Sequence, residues 1–188
     1  MPKKFTVKEM AMVGVLAALV FVASQIKIPL PTIVGNTRLH LGNVMCLLSG
    51  FLLGPVAGGL AAGFGSAFYD LTDPLYITTT PFTFVFKFAM AWICGKIARS
   101  SYGDDFKWNR NVVAAVVGAV LYVILYLGKN FIEGFLFLRL EMQTVLIDLI
   151  QKGTVSLING IIAAVASVPL AAAVQSAMKR TGFYRSAP

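Results

Sequence analysis

Three lysines, Lys87, Lys129 and Lys152, lie well inside long apolar runs, in the company of Asn130, Glu133, Asp148 and Asn159. An ionisable side chain at membrane depth is costly unless it is paired or hydrated, and it usually faces a cavity or a pathway. Lys129 and Glu133 are four residues apart and share one helix face, while Asp148, Lys152 and Asn159 share another by spacings of four and seven. Two chemistries fit this pattern. One is a structural knot, with Lys129–Glu133 and Asp148–Lys152 each satisfied within a helix. The other is a polar pocket for a small solute. Two ion pairs leave Lys87 without employment, and a knot has no need of Asn130 and Asn159, so the pocket accounts for more residues. Its three lysines against Glu133 and Asp148 suit a ligand with anionic or carbonyl acceptors, an inference that nearby Asp70 and Asp73 weaken.

The remaining reactive types carry less. His40 is the single histidine, and without co-ligands it reads as a hydrogen-bonding residue at a span entrance, so no metal is expected. Cys46 and Cys94 sit in apolar runs at no metal-ligand spacing and read as packed thiols. The motif G-x-x-x-x-G-K-[ST] does not occur, so the chain alone is not expected to hydrolyse ATP. No H-E-x-x-H and no credible Ser-His-Asp set occurs either, so no catalytic residues and no enzymatic activity are expected.

The elements that must hold this cluster are membrane helices. Of 188 residues, 57% are hydrophobic and 13% are charged; soluble domains carry roughly 25% charged residues. The expected architecture is an all-α membrane protein, one integral domain over 1–188, with spans at about 6–26, 39–53, 56–71, 81–97, 112–138 and 144–178. Lys27-Ile28-Pro29-Leu30-Pro31 ends the first span, and residues 28–38 read as an extended loop able to fold back over the bundle. The second and third spans are short, roughly 22–24 Å against a hydrocarbon core of about 30 Å. The last is interrupted by Gly153, Gly160 and Pro169, which suggests a kink or an interfacial piece.

The stretch from Asn36 to Tyr76 is a small-residue hairpin hinged at Gly54-Pro55, with Asn36, Arg38 and His40 at one end and Asp70 and Tyr76 at the other. Small residues let helix backbones approach closely in lipid. Thr78-Thr79-Thr80-Pro81 is placed to cap the fourth span, and the alternate-residue series Phe82, Phe84, Phe86 and Phe88 reads mainly as packing or lipid-facing. Tyr69, Tyr76, Tyr122, Tyr126, Trp92 and Trp108 read as interfacial anchors, with Tyr126 also placed to line a cavity three residues before Lys129.

Charge sets the orientation. With both termini cytoplasmic, the inner segments hold Lys3, Lys4, Lys8, Lys96, Arg99, Lys107, Arg110, Lys179, Arg180 and Arg185, ten of the sixteen basic residues. A single long crossing over 39–71 would place the 96–110 cluster and the C terminus outside, against the positive-inside rule. A re-entrant hairpin keeps the same parity, so it stays open beside the preferred six-span bundle. Met1-Pro-Lys-Lys opens like a signal peptide, but no clear cleavage site follows and the first apolar run is long enough to span. The net charge of +8 therefore reports topology rather than nucleic-acid binding.

Three stretches carry a family resemblance: Met10-Ala-Met-Val-Gly-Val-Leu-Ala-Ala-Leu after a basic start, Ile28-Pro-Leu-Pro leading into Asn36-Thr-Arg-Leu-His-Leu-Gly-Asn, and Leu53-Gly-Pro-Val-Ala-Gly-Gly leading into Gly65-Ser-Ala-Phe-Tyr-Asp-Leu. The chain resembles the substrate-binding S components of energy-coupling factor (ECF) vitamin transporters, and the loop leading into Arg38-Leu-His-Leu-Gly resembles the riboflavin type most.

The resemblance implies a six-helix receptor that takes a vitamin from outside. It also implies docking on a transmembrane coupling protein with two cytoplasmic ATPases, which hydrolyse ATP while this chain carries no cofactor. It further implies a coupling face of small residues on the first helix, matched here by Ala11, Gly14 and Ala18, although such spacing also serves ordinary packing. Ligand contacts are implied for the first loop and spans four to six. The candidate substrate-binding set is thus Lys129, Asn130, Glu133, Lys152, Asn159, Lys87, Asp70, Tyr76, Arg38 and Asn36. Riboflavin leads as the ligand, with pantothenate, a queuosine-type base and other vitamins open. A self-sufficient secondary transporter using Glu133 or Asp148 for a proton, and a ligand-free scaffold, are the competing functions.

Overall fold

The computed structural model describes residues 5–98 and 106–180. Lys3, Lys4, Arg99 and Arg185 of the inner basic set lie outside the described residues. The elements in order are α1 (Val7–Gln25), β1 (Lys27–Pro31), β2 (Asn36–His40), α2 (Gly42–Leu53), α3 (Pro55–Leu71), a 3-10 turn (Ile77–Thr79), α4 (Thr80–Ala98), α5 (Trp108–Ile132) continued by a π-turn (Glu133–Phe137), and α6 (Met142–Arg180).

Local chemistry explains several boundaries. Thr6 and Glu9 form a capping box on α1: the Glu9 N–H donates to the Thr6 hydroxyl at 3.1 Å, and the Thr6 N–H donates to the Glu9 carboxylate at 2.9 Å. Gly54, at φ 80°, ends α2 and starts α3 in one residue, with Pro55 at the first helical position of α3. α6 runs unbroken through Gly153, Gly160 and Pro169, so the expected interruption is not a break between separate helices.

The 28–38 loop is more ordered than its prolines suggest. β1 and β2 pair antiparallel, from Lys27 opposite His40 to Pro31 opposite Asn36. A two-stranded ribbon has an open edge on each strand, so Pro29 and Pro31 can turn their missing N–H outward. Among the described residues the fold is all-α apart from this ribbon.

Four stretches, Val7–Gln25, Ile77–Ala98, Trp108–Phe137 and Met142–Arg180, are long and apolar enough to cross a membrane. α2 and α3, with 12 and 17 residues, are shorter. α2 is the hub. Ten of its residues are buried, and it packs against α1, α3, α4 and α6.

Small residues make that crowding possible. A Cβ on Gly50 would stand 2.5 Å from the Ala91 carbonyl oxygen of α4, and one on Gly58 would stand 2.5 Å from the Ser49 carbonyl oxygen of α2. Gly59 and Gly63 of α3 form hollows filled by the rings of Phe88 and Phe84. Cys46 and Cys94 are free and buried in the core with Leu47, Met90 and Ala91. The result is a tight inner bundle, with the ribbon, the α3–α4 turn and the α5–α6 turn at one end.

Candidate functional site

A cavity of 270 Å³ opens at the ribbon end. Helical spacing sets its walls. α4 contributes Phe82, Thr83, Phe86 and Lys87; α5 contributes Tyr122, Tyr126, Lys129 and Asn130, and its π-turn continuation Glu133; α6 contributes Lys152, Ser156 and Asn159. Asn36, Thr37, Arg38 and His40 of β2 close it from above, with Asp70 and Tyr76 from the α3–α4 side. All ten residues of the candidate binding set therefore line one space, although they come from six separate parts of the chain.

Their hydrogen bonds divide them into two kinds. Asn159 is committed to the ribbon: its carbonyl oxygen accepts from the His40 N–H at 3.0 Å, and its amide donates to the Arg38 carbonyl at 2.8 Å. One Asp148 oxygen accepts from the Val34 N–H at 3.0 Å, and Gln151 accepts from the Ile33 N–H at 3.2 Å. α6 thus straps the ribbon over the cavity, and Asn159 acts first as a positioning residue.

The other oxygen of Asp148 lies 2.9 Å from Lys152, which also donates to Asn130 at 3.0 Å. Lys129 pairs with Glu133 on its own helix. Both intrahelical ion pairs of the structural reading are present, and both stand in or beside the cavity wall. Lys87 donates to Asn43, and its ammonium sits 3.7 Å from the centroid of Tyr122. Tyr122 in turn stacks on Tyr126 at 5.9 Å and 14°.

The α3 side is held by a second charged cluster. The Arg38 guanidinium pairs with Asp70 and lies between the rings of Tyr69 and Tyr76, 4.5 and 3.9 Å from their centroids. Lys27 reaches Asp73 at 2.7 Å, and Arg38 approaches the same carboxylate at 3.7 Å. The hydrogen bond to Asp73 holds Lys27 above its ordinary value, and the same bond holds Asp73 below its own. Burial pushes the Tyr76 phenol up to about 12, so it stays protonated and donates to the Asn36 carbonyl at 3.3 Å. His40 accepts from the Gly42 N–H at 3.1 Å through Nδ1, a hydrogen-bonding role at the start of α2. Among the described residues no group of three His, Cys, Asp or Glu is placed to hold a metal.

Sequence reasoning missed four contributors. Tyr122 read as an interfacial anchor, yet it lines the cavity. The row Tyr122, Tyr126, Asn130 at spacings of four was the available signal. Asn43, Thr37 and Gln151 gave none, since each acquires its role from a residue far along the chain. Ala11, Gly14 and Ala18 lie away from the cavity on the exposed face of α1, and a Cβ on Gly14 would meet nothing within 4 Å.

Sequence comparison joins this geometry to known proteins. An uncharacterized protein in a gap 3′ region of Pyrococcus woesei is 29% identical over 107 residues, 57% of this chain and 67% of the relative. A family profile described as "ECF-type riboflavin transporter, S component" matches residues 4–176. That family is a transporter component and not an enzyme family. With its apolar helices and nearly full-length match, the chain belongs to the ECF-type riboflavin transporter S component family.

Proposed function

We propose that this chain is a high-affinity riboflavin receptor that takes its ligand from outside the cell and delivers it through an ATP-driven ECF complex. The observation that carries the reading is the roofed polar cavity at the end remote from the basic segments. Its volume stands near the lower limit of small-ligand pockets, about 300–1,000 Å³.

Charge alone does not separate riboflavin from pantothenate, because one cation is left over; the aromatic lining favours riboflavin. Lys129 is offset by Glu133, Lys152 by Asp148, and Arg38 by Asp70, which leaves Lys87 with the neutral Asn43. The stacked pair Tyr122–Tyr126 and the ring of Phe86 suit a flat heteroaromatic, while Lys129, Asn130, Lys152 and Ser156 suit hydroxyls and carbonyls.

In this reading the bundle has six spans with both termini cytoplasmic, in a bacterial plasma membrane, and α2–α3 crosses as a thin hairpin. Ala11, Gly14 and Ala18 form the face that meets the coupling protein, and two ATPase subunits supply the energy. Mass spectrometry of small molecules extracted from the purified chain tests the ligand. Riboflavin is expected at near one per chain. An empty protein that also shows no thermal shift with a vitamin panel would sink the proposal. Uptake into liposomes by this chain alone would instead support the secondary transporter.

A further inference from the structure

Outside the cavity, the surface of α5 and α6 carries a second hollow of 360 Å³, running from Trp108 and Pro169 at the basic end to Val123 and Leu157 near mid-helix. Its floor is made of small residues, Ala119, Gly160 and Ala164. The floor is close-packed, since a Cβ on Gly160 would stand 3.4 Å from the Ala119 Cβ. Its rim is branched and open: Val116 is 46% exposed, Val120 46%, Ile161 63% and Val165 71%. Small residues below and branched residues above leave a slot that the bundle's own side chains do not fill.

The slot extends over the fifteen-residue separation of Trp108 and Val123 on α5, about 22 Å at 1.5 Å per residue. One leaflet of hydrocarbon is about 15 Å deep, half of the usual core. A single acyl chain has the shape for it: long, narrow, flexible and able to follow a floor without hydrogen-bonding groups.

The mouth of the slot says which lipid. Trp108, packed edge-on against Phe106 at 5.3 Å, starts α5 at the basic end and is of the residue type enriched at membrane surfaces. Lys107 precedes it, and Arg110, whose buried Nε has no hydrogen-bond partner among the described residues, follows within one turn. At that end of the bundle the described residues include Lys8, Lys96, Lys107, Arg110, Lys179 and Arg180 against Glu9, and the sequence adds Arg99, Asp104 and Asp105 between α4 and α5, so the end stays net positive. A basic mouth beneath an apolar slot is complementary to an anionic headgroup with its tail.

We propose that the α5–α6 slot is a binding site for one anionic phospholipid, its acyl chain lying between Val112 and Leu157 and its headgroup at Lys107 and Arg110. The same two helices carry Lys129, Asn130, Lys152 and Asn159 further along. A chain seated in the slot therefore stiffens the pair that forms the vitamin cavity. The proposal rests on the reading of the basic end as the cytoplasmic membrane surface.

The test offers the purified chain phosphatidylglycerol and phosphatidylcholine in equal amounts and counts retained lipid by native mass spectrometry. One phosphatidylglycerol per chain is expected, preferred about tenfold over phosphatidylcholine. Ala164→Phe, which fills the floor, abolishes retention of both. Lys107→Gln combined with Arg110→Gln keeps a lipid but loses the preference. Neither variant touches the vitamin cavity, and a cooperative melting transition in each reports that the bundle is folded. Equal retention of the two lipids by the unaltered chain, or undiminished retention by folded Ala164→Phe, overturns the proposal. Failure of the unaltered chain to bind riboflavin counts against the cavity reading alone.

Discussion

At the scale of residues, two polar groups that look alike in the sequence have different work. Lys129 stands in the cavity wall and, among the described residues, pairs with Glu133 one turn along, so its ammonium can shift to a ligand acceptor without freeing any other element. Lys129→Ala is expected to weaken riboflavin binding about 10- to 100-fold, the worth of one hydrogen bond to a charged group, with thermal stability kept. Isothermal titration beside a melting curve checks this; unchanged affinity removes Lys129 from the site.

Asn159 has both amide atoms bound to backbone of β2. Asn159→Ala should therefore free the ribbon. Faster hydrogen exchange at the amides of residues 33–40, together with faster vitamin release, is the expected signature. Loss of affinity with unchanged exchange would make Asn159 a direct ligand contact instead. The sequence placed both residues near one pocket because buried polar groups in apolar runs need partners. It could not tell which partner each has, since Asn159 meets a backbone 119 positions away in the chain.

Among elements, the long helices were legible because hydrophobic length alone marks them, and four stretches of the structure are long and apolar enough to cross a membrane. The ribbon was legible only as a fold-back loop. Two prolines within five residues argue against a strand in a sheet interior, and nothing local announces that this sheet has two strands. The rotation of α5 was hidden too, which is why Tyr122 was placed at an interface. Helical period assigns residues to a common face but does not say which face turns inward.

The α2–α3 hairpin was read as smooth for close packing, and its glycines now divide into two kinds. Gly50→Ala pushes a methyl against the Ala91 carbonyl, and backbone there cannot yield cheaply. A loss of about 1–3 kcal/mol is expected, visible as a lower melting temperature. Gly14→Leu on α1 meets open space, so melting and riboflavin binding should be unchanged while co-purification of the coupling protein is lost. Retained co-purification would move the coupling face elsewhere.

The ribbon's tie to the end of α3 also depends on pH. Asp73 is held below its ordinary value by Lys27, so its contribution is present above about pH 4 and is lost as pH falls through the lowered value. Lys27 is raised, so its share is present below about pH 10.5 and is lost as pH rises through the higher value. Melting temperature should be flat between these limits and fall on the acid side, and Asp73→Asn should flatten that acid limb. An unchanged acid limb in Asp73→Asn would assign it to another carboxylate.

For the whole molecule, charge is sorted by end. Among the described residues the basic end carries Lys8, Lys96, Lys107, Arg110, Lys179 and Arg180 beside the acid Glu9, while the carboxylates Asp70, Asp73, Glu133 and Asp148 gather at the cavity end, paired with Arg38, Lys27, Lys129 and Lys152. In the orientation proposed above, this asymmetry puts the excess positive charge on the cytoplasmic side. The central claim is that the roofed cavity is a riboflavin site complete within this one chain. Titration of riboflavin into the purified chain, followed by quenching of flavin fluorescence without ATP or partner subunits, tests it most directly. The account predicts saturation at one flavin per chain with Kd about 1 μM or tighter, equivalent to at least about 8 kcal/mol, and right-shifted in Lys129→Ala. Unquenched fluorescence at flavin and protein concentrations far above that Kd, in a protein that still melts cooperatively, would contradict it.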